Sequence, residues 1–117
     1  MKTINEELLF EVRGEKVMLA SDVADFYECK LSKMMKVVKR SMICFSIDTF
    51  FQLTEEECSE LQIAYSDRKT PYVFSLEGIY MLSSVLDTDV AIELSLYICE
   101  TVASEPGRVF EMLEKIM

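Results

Sequence analysis

The chain has 117 residues, half of them hydrophobic, with 21 acidic residues against 12 basic ones and a net charge of −9. That length supports one compact domain with a real core and is too short for two, and the acidic balance excludes a protein that binds nucleic acid over its whole surface. Four cysteines are widely spaced without a CxxC pair, and no histidine is present to complete a cysteine metal site or a Ser-His or Cys-His nucleophile pair.

Residues 8–20 open the chain with two short runs rich in β-formers around Arg13-Gly14. Glycine accepts a positive φ cheaply, so this dipeptide predicts a hairpin in which Phe10 faces Val17 and Glu11 faces Lys16. Ser21 and Asp22 then offer cap and first-turn chemistry for a short helix that buries Val23, Phe26 and Tyr27 and ends near Glu28. Glu28-Cys29 would be the tight turn into a second helix, so that residues 21–40 read as a helix-turn-helix.

Residues 30–42, laid out at about 100° per residue, separate into two faces. Leu31, Met34, Met35, Val38 and Met42 form a stripe expected to be buried. Lys30, Lys33, Lys36, Lys39 and Arg40 fall on the other side, and no acidic residue occurs between Glu28 and Asp48 to neutralise them along the helix. These five take nearly half of the basic residues; the rest of the chain is left with seven against 21 acids, or −14. The molecule should therefore be dipolar. A solvated amphipathic helix accounts for the pattern, and so does a helix that tracks phosphates or enters a groove.

Beyond the apolar MICF stretch, residues 50–53 are expected as a third strand. Thr54 can cap the helix that follows, with Glu57 reaching back, and this helix is expected to run from Glu55 to about Tyr65. The Glu55-Glu56-Glu57 cluster has the composition of an acid/base or metal site, but capping and the helix dipole account for it. Residues 66–71 form a polar loop, residues 72–74 a fourth strand, Ser75 a cap, and residues 76–86 a helix with Ile79, Leu82 and Leu86 inward. Asp87-Thr88 breaks and recaps the chain ahead of a helix over residues 89–103 that is apolar on nearly every side. Pro106-Gly107 closes it, and residues 108–117 suggest a last amphipathic helix with Val109, Phe110, Leu113 and Ile116 on one flank. The fold class expected is α+β: an N-terminal hairpin and small antiparallel sheet with a helix-turn-helix and C-terminal helices.

The remaining chemistry is negative. There is no GxGxxG or GxxxxGK[ST] motif, and three glycines cannot build the usual phosphate-cradling loop. Neither catalysis nor a cofactor is expected. Reduced, buried thiols, no membrane span, no leader segment and a cytoplasmic location are expected from the cysteine spacing, the mixed acidic start and the lack of a long apolar run.

Several separated strings carry a resemblance: VRGEKVMLASDVADFY at 12–27, VKR at 38–40, FFQLTEEE at 50–57 and PYVFSLEGIYMLSSVLDTDVAIE at 71–93. Over about residues 8–102 the chain resembles the phage open-reading-frame-six N-terminal domain, a relative of the KilA-N domain found in antirepressor-like proteins. The resemblance implies a mixed α+β domain that binds DNA through the helix at 30–41 and its flanks. Lys39 and Arg40 match the family's basic pair, Asp48 and residues 51–54 its entry from strand to helix, and Gly78 the glycine of its later helix. Glu28 stands where the family usually has glycine, Met35 and Ser41 where asparagine is common, and Cys44 where a basic residue is frequent. Acidic Glu100, near the end of the apolar helix, stands where relatives are often basic.

Two readings follow. In the first, residues 1–104 form a KilA-N-like regulatory domain that contacts duplex DNA through Lys30, Lys33, Lys36, Lys39, Arg40 and Ser41, with residues 105–117 as a C-terminal helix and a possible link to a further domain. In the second, the same fold is a protein-interaction module that binds a repressor or other regulator without touching DNA. The apolar helices over residues 89–117 also suggest a homodimer.

Overall fold

Around Arg13-Gly14 the chain folds back on itself in the computed structural model, which describes residues 3–42, 45–66 and 69–104. Strands β1 (Phe10–Val12) and β2 (Glu15–Leu19) pair antiparallel, Phe10 opposite Val17 and Glu11 opposite Lys16, the expected register. Arg13 and Gly14 have φ of 54° and 78°; two left-handed residues in a two-residue loop match the twist of the strands they join. Leu8 lies outside the strand, in a short turn (Glu6–Leu8) capped by the Asn5 side chain.

The hairpin joins β3 (Phe50–Gln52) through β4 (Tyr72–Ser75), giving one antiparallel sheet of order β1-β2-β4-β3. Alternation along each strand divides the apolar side chains between two faces. Met18 and Phe74 enter the larger core with the helices, while Val17, Phe51 and Val73 enter a smaller one with Leu53 and Cys58. The fold is α+β, as expected.

Helix α1 (Ala20–Phe26) follows β2 without a break, so the cap position falls on Leu19, which lends no side chain. Ser21 lies inside the first turn rather than capping it, a correction to the sequence reading: the strand runs straight into the helix and leaves no loop residue for the role. Val23, Phe26 and Tyr27 are buried as expected. The helix closes through Glu28, at φ 57°, with Cys29 N–H donating to the Ala24 carbonyl and Glu28 N–H to that of Asp25, each at 3.1 Å. A glycine would take this left-handed position freely; a residue with a β-carbon costs about 1 kcal/mol there.

Helix α2 spans Leu31–Arg40. Helix α3 (Glu55–Glu60) starts at the expected capping box: Thr54 Oγ1 accepts from Glu57 N–H at 3.1 Å, and the Glu57 carboxylate accepts from Thr54 N–H at 2.9 Å. It stops well short of Tyr65. Gln62 turns left-handed, at φ 56°, and Ile63 N–H donates back to the Cys58 carbonyl at 2.9 Å, which places Ile63 against the smaller core. Burying that isoleucine takes the place of a further helical turn.

Helix α4 (Leu76–Val85) is capped by Ser75 and buries Ile79 and Leu82, with Leu86 buried just after it. Thr88 then caps α5 (Asp89–Ser104), which buries Val90, Ala91 and Leu94. The three described cysteines are free, but only Cys58 among them is buried; Cys29 is half-buried, and Cys99 is exposed on a flank of α5 that the core does not cover. Cys44 and the expected helix over residues 108–117 lie outside the described residues. Among the described residues no helix is long and apolar enough to cross a membrane.

Candidate nucleic-acid interface

Helix α2 is held by what precedes it. The Tyr27 hydroxyl, at the end of α1, donates to the Ile79 carbonyl of α4, and Phe26 packs edge-on against the Tyr27 ring at 4.9 Å. Burial pushes the Tyr27 hydroxyl well above its usual pKa, so it stays a donor. With α1 fixed, the left-handed turn at Glu28 sets the direction in which α2 leaves.

On its inner side α2 seats Met34 and Val38, one turn apart, in the main core, with Met35 and Val37 half-buried beside them. The expected stripe is narrower than drawn, for Leu31 is 42% and Met42 51% exposed. Leu31 sits where the helix starts clear of the core, on the rim of a cleft lined by Ala20, Ser21, Met35, Pro71 and Tyr72. Met42 follows the cap residue Ser41, so the helical spiral that would have carried it inward has ended.

The five basic side chains are all exposed. At helical spacing they cover about half of the circumference, opposite Met34 and Val38. Lys39 and Arg40 lie in the last turn, where cations complement the helix dipole; Lys30 occupies the N-cap, where a cation opposes the dipole and supplies no acceptor. Helix stability therefore does not account for Lys30. Ser41 caps the other end, its N–H donating to the Val37 and Val38 carbonyls at 3.1 Å, and its side chain is half-buried.

One acid reaches this face from far along the chain. Asp87, between α4 and α5, pairs with Lys33 at 3.3 Å across a cleft of about 300 Å³ that Val37, Arg40, Ser41 and Val85 complete. A pairing over 54 residues leaves no signal among the charges along the helix itself. Both partners are exposed, so the pair is worth at most about 1 kcal/mol.

The surface thus offers several cations within two to three helical turns, a hydroxyl-bearing residue at the end, and the Asp87 carboxylate in the adjoining cleft. That chemistry suits a polyanion or an acidic partner. Among the described residues no group of three or more His, Cys, Asp or Glu side chains is placed to hold a metal ion.

Gly78, the glycine singled out in the later helix, lies directly against the Thr49 carbonyl, so α4 can approach the β3 entry only without a β-carbon at this position. No significant match was found among curated proteins or among solved structures. The family model of the ORF6N domain matches residues 7–85, which takes in the hairpin, the α1–α2 pair, strands β3 and β4, and α4. The match extends over more than half of the sequence, and the chain belongs to the ORF6N domain family.

Proposed function

We propose that this is a DNA-binding regulatory domain of phage or prophage antirepressor type, in which α2 engages duplex DNA. The observation that carries the reading is the placement of Lys30, Lys33, Lys36, Lys39 and Arg40, all exposed on one short helix in a chain whose remainder carries −14. Phosphates attract that helix and repel the rest, so the field orients the domain as well as binding it. Ser41 adds a short polar side chain beside Arg40, within reach of a phosphate or a base edge.

A second reading, a module that binds a repressor or another regulator without contacting DNA, draws on the apolar side chains left exposed on α5, Ile92 and Leu96. Salt separates the two. Under the DNA reading, log K for mixed duplex DNA falls linearly with log salt, by about 0.9 for each phosphate neutralised. Reversing Lys36, Lys39 and Arg40 to Glu nearly abolishes binding while leaving Met34 and Val38 in place. Wild-type protein that shows no salt-dependent association, or a triple variant that binds equally well, would leave the basic helix as a solvated face.

A further inference from the structure

We propose that the outer edge of α5 docks onto α2 of a second copy of this chain. The contact would cover lysines assigned above to phosphate, but it does not rest on that reading and its test uses no DNA.

The two surfaces complement each other in shape and in charge. On α5, Ile92 and Leu96 stand one turn apart and are 50% and 59% exposed, while Val90, Ala91 and Leu94 on the other side are buried. Asp89, Glu93 and Glu100 lie along the same helix, the two glutamates exposed and Asp89 at its first turn, and no basic residue occurs between Lys69 and Arg108. Apolar knobs flanked by acids call for an apolar recess flanked by bases.

Helix α2 provides one. Exposed Leu31 and half-buried Met35 line, with Ala20, Ser21, Pro71 and Tyr72, a cleft of about 230 Å³ that presents mostly carbon, with room for a branched aliphatic side chain. Lys30, just ahead of Leu31, and Lys39, one turn beyond Met35, flank its α2 side with Lys36 next to them, on a helix that carries no acid. The same attraction is already realised within one chain, where Asp87, just ahead of α5, holds Lys33. Pairing α5 with α5 instead would set Asp89, Glu93 and Glu100 of two copies near one another and leave the cleft empty; like charges across an interface are strongly unfavourable. The contact therefore joins two different patches, each copy offering both.

The test is sedimentation of the full chain with two charge-reversed variants, E93K/E100K and K36E/K39E, each checked for an unchanged urea midpoint. Wild-type protein should associate with rising concentration, less strongly in high salt. Each variant alone should dissociate at least about tenfold more readily. An equimolar mixture of the two should recover association, since the lysines introduced on α5 of one variant then face the glutamates introduced on α2 of the other. L96S should weaken assembly without any change of charge. A wild-type chain that stays monomeric at high micromolar concentration would overturn the proposal. So would association that persists undiminished in both variants, or a mixture that fails to recover it; in those cases the edge of α5 is left for a different protein.

Discussion

Arg13 and Glu57 meet as a fork: Nε and Nη2 of Arg13 each donate to a different oxygen of the Glu57 carboxylate, both at 2.9 Å. The pair spans 44 residues and ties the hairpin turn to the first turn of α3, with the guanidinium lying 4.2 Å above the Phe51 ring. Glu57 is also the acid of the capping box. Its carboxyl is held down to about 2, first by the hydrogen bond from Arg13 and then by that from the Thr54 backbone N–H.

A carboxyl whose pKa is lowered on folding stabilises the fold above its unfolded value, about 4.3, and that contribution is lost as pH falls towards about 2. Glu57→Gln keeps an acceptor for the cap and removes the charge. Since Arg13 is partly exposed, the expected loss at neutral pH is about 1 kcal/mol or less. Urea midpoints of the variant and the wild type should differ at pH 7 and converge on acidification; a gap that stays constant with pH would mean the ion pair contributes nothing.

At a solvent-facing helical position Gly→Ala stabilises by about 1 kcal/mol. Gly78→Ala is expected to do the opposite, because the added β-carbon would collide with the Thr49 carbonyl oxygen. That oxygen also accepts from Ser75 N–H at 3.0 Å, so it cannot retreat without breaking the bond that brings α4 up to β3. The expected destabilisation is about 1–3 kcal/mol, read from thermal or urea unfolding. A neutral or stabilised variant would refute the close approach.

Asp87 is the acid through which α2 can be tuned if it binds DNA. Asp87→Asn releases Lys33 and removes a negative charge from the cleft beside Arg40 and Ser41. Affinity for duplex DNA should rise and the salt slope steepen by up to about 0.9, the increment for one further phosphate, with stability changed by less than about 1 kcal/mol. If wild type binds with a clear salt slope and the variant matches it, Asp87 and phosphate do not compete for Lys33.

Local chemistry was legible in the sequence. The register of Phe10 on Val17, the Thr54–Glu57 box, and the caps at Ser75 and Thr88 all depend on residues within a few positions of one another. Helix ends were less so. The stop at Glu60 depends on Ile63 finding the smaller core, and the uncapped start of α1 on β2 leading straight into it. Periodicity named the inner side of α2 through Met34 and Val38, but not how much of the helix overlies the core, so Leu31 and Met42 were misplaced. The basic face itself was visible as spacing and charge; its acidic neighbour was not, because Asp87 reaches Lys33 only through the packing of α4 and α5.

The sheet order has a temporal side. β4 is hydrogen-bonded to both β2 and β3, whereas among the described residues β3 pairs with no strand made before it. As the chain emerges from a ribosome, the β1–β2 hairpin can close early from local contacts, but β3 must wait for residues about twenty positions downstream, and sheet closure carries the loop entropy of that wait. A chain ending ahead of Tyr72 would lose two ladders at once, leaving the hairpin with an open edge at β2 and the aromatic face of Phe50 without the Tyr72 and Phe74 rings that stack and tilt against it at 5.0 and 4.7 Å.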